Sequence, residues 1–404
     1  MKQKIFILSL LIILIGTAFL FGCGSVNRTT SDLPGLKFIS SFENGNLYQT
    51  SSSANGLYVV GLNGSFHEMG RQYGDLTKEI IPGLYRVGLD YLTAEGYTYD
   101  QISAESEAGY QLQYDYMKDL IDGMAETSGL TLEKQKIVAN MMGSLFGCSG
   151  LAAWGDYTTD RSVVFGRNWD TVRGPFTSLS KYVSIVVYNP SGYNHSVVDI
   201  NYLGSISPQT CFNDAGLFLD LQNGQMSDPT TNPDVKPTCF QLFSFMLNDG
   251  SLDSLANDFA NASTNMGLII NAADNQNALS YEWAISGGKS RGADLPGILA
   301  ATNHFVDPRW TDLPPINAGL AGAFTLERRA NLLALGNSDK GSIDPQKMME
   351  IFDTTIPTGG ATFPDNIVLQ TYYQIVAKPS DKTLWVKSRG YSGWEKVDLK
   401  LLFQ

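Results

Sequence analysis

The sequence predicts an α+β fold built in layers, and two observations carry this prediction. Helical patterns fill the chain up to about residue 142 after one short strand at 58–62, whereas short runs rich in Val, Ile and aromatic residues dominate after residue 148. Pro, Gly and Asn turns separate these runs, as is typical of antiparallel strands. Helices grouped around antiparallel strands favour an α+β layered arrangement.

The front segment is predicted to be helical because its apolar residues recur at helical spacing. Between residues 110 and 124 the apolar positions fit one helical face, and Gly129 ends the pattern. Thr131 and Glu133 are typical of a helix start. A second helix is therefore expected to run from there to about residue 142.

The same patterns predict the elements after residue 148. Strands are expected at 162–167, 182–188, 196–203, 216–221, 266–271, 278–285 and 298–304, followed by a closing hairpin at 367–378 and 382–388. Helices are expected at 240–247, 251–259, 326–335 and 345–352.

The N-terminus has the pattern of an export signal. Residues 1–22 combine a start carrying two Lys residues with an apolar run, which is typical of a signal peptide. The letters L-F-G-C before and at Cys23 resemble a bacterial lipobox, which implies a lipid on Cys23 and a lipid-attached linker over 23–54. A transmembrane anchor at 5–21 is the alternative. Both interpretations place the body outside the cytoplasm, and the first anchors it by lipid to the cell membrane.

Composition excludes several function classes. The chain of 404 residues has 28 Lys and Arg against 40 Asp and Glu, a net charge of -12, so no nucleic-acid partner is expected, because phosphate binding depends on Lys and Arg. It has three His residues and no HExxH, CxxC, G-x-S-x-G or P-loop motif. We therefore expect no metal and no cofactor.

Three cysteines follow Cys23 in the sequence. Cys211 and Cys239 are candidates for a disulfide in an oxidising compartment. Cys148 is then the odd thiol, which marks it as a candidate reactive group.

The most specific signal is the block from Gly147 to Asp170. Cys148 follows a glycine, and about one hairpin later the sequence G-R-N-W-D brings Arg167, Asn168 and Asp170 to a strand end. This block resembles the nucleophile region of the N-terminal nucleophile (Ntn) hydrolases of the choloylglycine hydrolase and penicillin V acylase superfamily, especially the acyl-coenzyme A:isopenicillin N acyltransferase-like branch. In that group a Cys becomes the new N-terminus by self-cleavage.

Further segments extend the resemblance over roughly residues 55 to 390, in order. They are GLNGSFHEMGRQYG at 61–74, GMAETSGLT at 123–131, NDAGL at 213–217 with Asn223 beyond it, TNHF at 302–305, TLER at 325–328 and the closing hairpin.

The resemblance implies a fold, a division of the chain and six site residues. The fold is a four-layer αββα sandwich with an α-rich pro-segment, and self-cleavage after Gly147 yields an α chain ending in the pro-segment 55–147 and a catalytic β chain, 148–404. The implied roles are nucleophile for Cys148, orientation of amine and thiol for Asp170, flanking positive charge for Arg167 and Arg328, and oxyanion donation for Asn303 and Asn223.

Some positions stay open at this point. Arg329 beside Arg328 leaves a one-residue ambiguity, and Asp220 or Gln222 is the alternative to Asn223 at the site. The family's Ser has become Thr325, which is bulkier but retains a hydroxyl.

The resemblance also implies the chemistry. A freed α-amine has an unperturbed pKa of about 7.7 to 8.0, so it can act as general base without any His. We expect cleavage of a linear carbon-nitrogen amide in a small acyl-amide or peptide-like substrate. The alternatives are an acyltransferase that passes the acyl group to an amine, and an unprocessed ligand-binding lipoprotein.

Overall fold

The computed structural model describes residues 31–140, 147–172, 175–314, 316, 320–365 and 369–404. The predicted signal peptide, 1–22, and Cys23 lie outside these residues. Among the described residues, no helix is long and apolar enough to cross a membrane.

Nine α-helices are present in the described ranges. They are α1 (Phe66–Thr77), α2 (Ile81–Ala94), α3 (Tyr99–Gln111), α4 (Asp115–Thr127), α5 (Leu132–Asn140), α6 (Thr238–Asn248), α7 (Leu252–Asn261), α8 (Leu320–Ser338) and α9 (Pro345–Asp353).

Sixteen strands of the described chain form two sheets. The ten-stranded sheet has the order β1 (Leu36–Phe42), β2 (Gly45–Thr50), β3 (Tyr58–Gly64), β6 (Val183–Pro190), β7 (Val197–Tyr202), β8 (Thr210–Asn213), β9 (Phe218–Asn223), β10 (Leu268–Ala273), β11 (Ala278–Ala284) and β12 (Gly287–Arg291). The six-stranded sheet has the order β13 (Ile298–Ala301), β4 (Gly147–Ala153), β5 (Val164–Val172), β14 (Leu369–Lys378), β15 (Thr383–Ser388) and β16 (Trp394–Asp398). Neighbouring strands are antiparallel except β3 and β6, which are parallel.

The strand period of two sorts the side chains of β4 between two interfaces. Cys148 and Ala152 lie in the core between the sheets, whereas Leu151 and Ala153 pack in a second cluster that includes Leu332 of α8. Helices α8 and α9 therefore cover the outer face of the six-stranded sheet.

The ten-stranded sheet is layered in the same way. Phe218 meets Phe165 of the other sheet at 4.9 Å between ring centroids, while Asn213 donates to the Met246 carbonyl of α6. Helices thus lie outside both sheets, and the predicted α+β sandwich with αββα layers is confirmed.

Two predicted segments differ from the structure. The linker predicted over 23–54 contains β1 and β2, whose buried residues, such as Leu36 and Leu47, join the main core. The single helix predicted over 110–124 is two helices, α3 and α4, because Tyr110 belongs to the buried face of α3 and residues from Met117 onward to that of α4.

Four further strands were not predicted from the sequence, for different physical reasons. Strand β4, GCSGLAA, is made of small residues because both of its faces are completely covered. Strand β12, GGKSR, is a partly exposed edge whose charge resembles a loop. Strands β8 and β16 are four and five residues long, too short to show an alternating pattern.

Candidate active site

The site begins with the pairing of β4 and β5. The register sets Gly147 opposite Asp170 and Cys148 opposite Trp169. Cys148 is fully buried. The predicted block from Gly147 to Asp170 is thus one hairpin, and its two ends meet at the candidate nucleophile.

Arg167 contacts the thiol from the space between the sheets. Its Nη2 lies 3.7 Å from Cys148 Sγ and donates to the Leu221 carbonyl at 2.8 Å, while Nη1 donates to the Gln209 carbonyl at 2.5 Å and to the Thr210 hydroxyl. These carbonyls fix the guanidinium in the core, where its side chain is completely buried. Arg167 therefore places a fixed positive charge beside the sulfur.

Arg328 reaches Cys148 from the helix layer. Its Nη1 donates to the Cys148 carbonyl at 2.7 Å and to Asp170 Oδ2 at 3.1 Å, and its Nη2 donates to Asn303 Oδ1 at 2.7 Å. The Thr371 hydroxyl donates to Asp170 Oδ1 at 2.6 Å. One guanidinium thus links the backbone of Cys148 to a carboxylate and an amide.

The neighbouring arginine has a different environment. Arg329 donates from Nη2 to Asp294 and from Nε to the Ala300 carbonyl at 3.2 Å. The one-residue ambiguity is therefore resolved in favour of Arg328 as the arginine that contacts Cys148.

Asn303 holds the nitrogen of the peptide between Gly147 and Cys148. The Cys148 N–H donates to Asn303 Oδ1 at 3.0 Å, and Asn303 Nδ2 donates to the Asn223 carbonyl at 2.9 Å. The hydroxyl of Thr325 accepts from the Asn303 N–H at 2.9 Å, so the bulkier Thr still fixes this loop. In the uncut chain the Asn303 oxygen, not its amide nitrogen, faces Cys148.

Asn223 enters the site through its backbone. Its side chain bonds Gln225, accepting from that N–H at 2.7 Å and donating to Oε1 at 3.2 Å. Asp220 and Gln222 instead face Gly150 from the opposing sheet. The structure therefore brings Asn223 to the site as a carbonyl, and the oxyanion role of its side chain stays a prediction.

Burial dominates the ionisation of the site. It raises the pKa of the Cys148 thiol, while the nearby Arg167 acts in the opposite direction. It also raises the pKa of Asp170 to about 6, against the effect of Arg328. At neutral pH Asp170 is therefore mostly ionised and pairs with Arg328, whereas the thiol is mostly protonated.

None of the three histidines contacts Cys148 in the hydrogen bonds of the described residues, although His304 Nδ1 lies 3.0 Å from the Thr325 hydroxyl. His67 bonds Glu126 at 3.0 Å, His195 bonds Asp214 at 2.7 Å, and burial lowers the pKa of His304 to about 4, so it is neutral. In the described part of the chain, no group of three or more His, Cys, Asp or Glu residues is arranged to hold a metal ion. Cys211 and Cys239 are free thiols.

Sequence reasoning missed Thr371 and gave Asp220 only as an alternative to Asn223. Thr371 bonds Asp170 from β14, and its position opposite that carboxylate follows only from the strand pairing. Asp220 lies beside Arg167, with Oδ2 3.8 Å from Nε. The resemblance left Asp220 open as the side chain that faces the site, and its place beside Arg167 follows from the structure.

Comparisons with known proteins give weak likenesses in fold. No family model and no curated protein matches the chain. Solved structures do match: a mutant of the conjugated bile acid hydrolase from Clostridium perfringens has 14% identity and a TM-score of 0.44, covering 63% of this chain and 93% of that one.

Two further structures are similar at the same level. Penicillin V acylase from Agrobacterium tumefaciens has 12% identity and a TM-score of 0.42 over 64% of this chain and 88% of that chain. A Caenorhabditis elegans ortholog of N-acylethanolamine-hydrolyzing acid amidase has 13% identity and a TM-score of 0.39 over 57% of this chain and 93% of that chain. Likenesses this weak carry no argument about function, which depends on the geometry of the site.

Proposed function

We propose that this chain is a cysteine Ntn hydrolase of the choloylglycine hydrolase and penicillin V acylase superfamily, in its acyltransferase-like branch. It cleaves a linear carbon-nitrogen amide of an acyl-amide or small peptide-like substrate. One observation carries the proposal: Arg167 contacts the Cys148 sulfur while Arg328 and Asn303 bond the backbone of the same residue. Such convergence on one buried Cys is suited to nucleophilic attack.

The first reaction in this proposal is self-cleavage between Gly147 and Cys148. The thiol sulfur attacks the Gly147 carbonyl carbon, the carbon-nitrogen bond breaks, and the thiol proton passes to the Cys148 nitrogen. Water then hydrolyses the thioester, leaving a Gly147 carboxylate and a free thiol. Asn303 supports this step because its oxygen already accepts from the nitrogen that becomes the amine.

Close packing at Gly147 fits the same step. A Cβ added there would lie 3.3 Å from the Asp170 Cβ, which is tighter than most side chains accept, and 3.6 Å from its Oδ2, an ordinary contact. Glycine therefore lets the scissile peptide lie close to the Asp170 side chain.

Turnover of substrate uses the amine that self-cleavage frees. The Cys148 amine takes the thiol proton, the sulfur attacks the substrate carbonyl, and the amine returns the proton to the leaving nitrogen. Water completes hydrolysis of the acyl-thioester. Arg328 keeps the new N-terminus in place because it donates to the Cys148 carbonyl, and Asp170 holds Arg328. Cleavage leaves both of these bonds intact.

Location is part of the proposal and depends on the sequence alone. The signal peptide over 1–22 and a lipid on Cys23 place the enzyme outside the cytoplasm on the cell membrane. The lipid is attached to the α chain, so the catalytic β chain stays there by packing. The two chains are held together by a common sheet, because β3 of the pro-segment pairs with β6 of the β chain.

A panel of amides tests the enzyme activity. Purified wild-type protein is assayed with penicillin V, bile-salt conjugates, N-acyl amino acids and acyl homoserine lactones. Hydrolysis of at least one amide is expected for wild type and for Cys239→Ala, a thiol outside the site, but not for Cys148→Ala. Equal rates in wild type and Cys148→Ala would contradict the proposal.

A further inference from the structure

A row of polar side chains crosses the inner face of the ten-stranded sheet beside the nucleophile. Strand register places Thr210 opposite Asp220, Asp220 opposite Asn271 and Asn271 opposite Ser280. All four residues are fully buried. Buried polar groups lower stability unless they are paired, so we expect a continuous row of them to have a role other than packing.

Asp220 is the ionisable carboxyl of this row; burial raises its pKa, whereas Arg167, Gln222 and Asn271 act in the opposite direction. Asn271 Nδ2 donates to its Oδ1 at 2.6 Å, and Gln222 Nε2 donates to its Oδ2 at 3.1 Å. The same Oδ2 lies 3.8 Å from Nε of Arg167. Since Arg167 also reaches Cys148 Sγ, one guanidinium separates this carboxylate from the candidate nucleophile.

The strand of the nucleophile leaves room for the cluster. Gly150 lies two residues after Cys148 and faces the same side of β4. A Cβ there would be 2.8 Å from Gln222 Nε2 and 3.2 Å from Asp220 Oδ2. Glycine at this position therefore allows the carboxylate to approach the nucleophile strand.

The charges around the thiol oppose one another. Burial has the largest effect on the pKa of Cys148 and raises it. Asp170 and Asp220 also raise this pKa, whereas Arg167 lowers it. Asp170 is itself paired with Arg328 on the helix side. Tyr373 interacts electrostatically with both Arg167 and Cys148, and Asp199 and Cys211 interact with Arg167. Burial raises the pKa of Asp199 well above its usual range. Among the described residues, Asp220 is the carboxylate that forms an ion pair with the guanidinium beside the sulfur.

We propose that Asp220 is a positioning residue that acts through Arg167: it partly neutralises the guanidinium that the Gln209 and Leu221 carbonyls hold beside the sulfur, and so sets the protonation of the Cys148 thiol. The proposal rests on the proposed function. Without Asp220 the guanidinium would act on the sulfur at full charge and favour the thiolate. With Asp220 the resting enzyme retains a thiol, whose proton is available for the nitrogen of the cleaved amide.

Alkylation of Cys148 by iodoacetamide between pH 5 and 10 tests this role. The extent is measured by mass spectrometry of the tryptic peptide that contains Cys148, which is 137–161 in the uncut chain and 148–161 after self-cleavage; neither contains another cysteine. Asp220→Asn should lower the midpoint of the profile by about one unit, as expected for loss of a nearby negative charge. Asp220→Glu, which keeps the charge, should restore the wild-type midpoint, and Asp228→Asn, another buried aspartate, should leave it unchanged.

The pathway through Arg167 is tested by a double variant. The shift caused by Asp220→Asn should largely vanish in an Arg167→Gln background; a full shift there would contradict action through the guanidinium. If Asp220→Asn does not fold, Asn271→Ala takes its place, because loss of the donor favours protonated Asp220 and lowers the thiol midpoint in the same direction.

Alkylation needs neither self-cleavage nor turnover, so its outcome is separate from that of the proposed function. An unchanged midpoint in Asp220→Asn overturns the role of Asp220 even in an active enzyme. A lowered midpoint in a protein that hydrolyses no amide supports the role and contradicts the function instead.

Discussion

The two sides of Cys148 carry the same pair of charges but contact different atoms. Between the sheets, Arg167 with Asp220 reaches the sulfur; in the helix layer, Arg328 with Asp170 reaches the carbonyl and, through Asn303, the nitrogen. All four charged side chains are essentially buried. The difference indicates a division of labour in which one pair governs ionisation of the thiol and the other fixes the geometry of the peptide.

The largest expected effect separates the two arginines. Arg328→Gln should slow self-cleavage by about 10²- to 10³-fold at every pH, because the backbone of Cys148 loses its donor. It should also lower the free energy of unfolding by about 3 kcal/mol, since Asp170 is left buried without its partner. Cleavage is followed on denaturing gels and unfolding by urea titration.

Arg167→Gln should behave differently because it removes charge from beside the sulfur. Loss of that charge raises the pKa of Cys148, so cleavage should be slow at pH 7 and recover as the pH rises. Arg329→Gln is the matched control and should cleave like wild type. Identical pH profiles for the Arg167 and Arg328 variants would remove the proposed division.

The next effect concerns Asp170, whose pKa burial raises to about 6. Self-cleavage should become faster as the pH rises through about 6, because the ionised carboxylate holds Arg328. Stability should change in the opposite direction. The folded state retains a proton that the unfolded chain releases near pH 4, so this contribution is complete below about pH 4 and is lost as the pH rises through about 6.

Asp170→Asn isolates that contribution. Urea titrations between pH 4 and 7 should show wild type losing stability relative to Asp170→Asn as the pH rises. A difference between the two proteins that does not vary with pH would show that the Asp170 pKa is not raised.

The smallest expected effect is at Asn223, and Asn303 is the residue with which it is compared. Asn303→Ala removes the acceptor of the Cys148 N–H and of Arg328, so we expect a loss of about 100-fold in self-cleavage. Asn223→Ala keeps its carbonyl, so the loss should be only about fivefold or less. A loss at Asn223 as large as that at Asn303 would indicate that its side chain turns toward the reacting carbonyl, as the family resemblance implies.

Periodicity predicted an α+β layered fold because it depends on local order in the sequence, whereas the αββα layers and the six site residues were implied by the family resemblance. Arg167 and Asp170 are an odd number of residues apart on one strand, so they face opposite interfaces, and each contacts a different part of the site. Sequence alone did not separate Arg328 from Arg329, since that choice depends on how α8 is rotated against the sheet.

The parts of the site that could not be predicted from the sequence depend on long-range strand pairing. Asp220 and Thr371 belong to strands remote in sequence from the nucleophile, and only sheet register brings them to Arg167 and Asp170. The small residues of β4 hid a central strand, because close packing on both faces selects Gly and Ala over residues of high strand propensity.

The most direct test of the account is to identify the chains in purified wild-type protein by intact mass and N-terminal sequencing. The account predicts two chains, the catalytic one beginning Cys148-Ser149-Gly150, and a single chain in Cys148→Ala. A wild-type protein that hydrolyses amides as one intact chain, or a catalytic chain that begins at any residue other than Cys148, would contradict it.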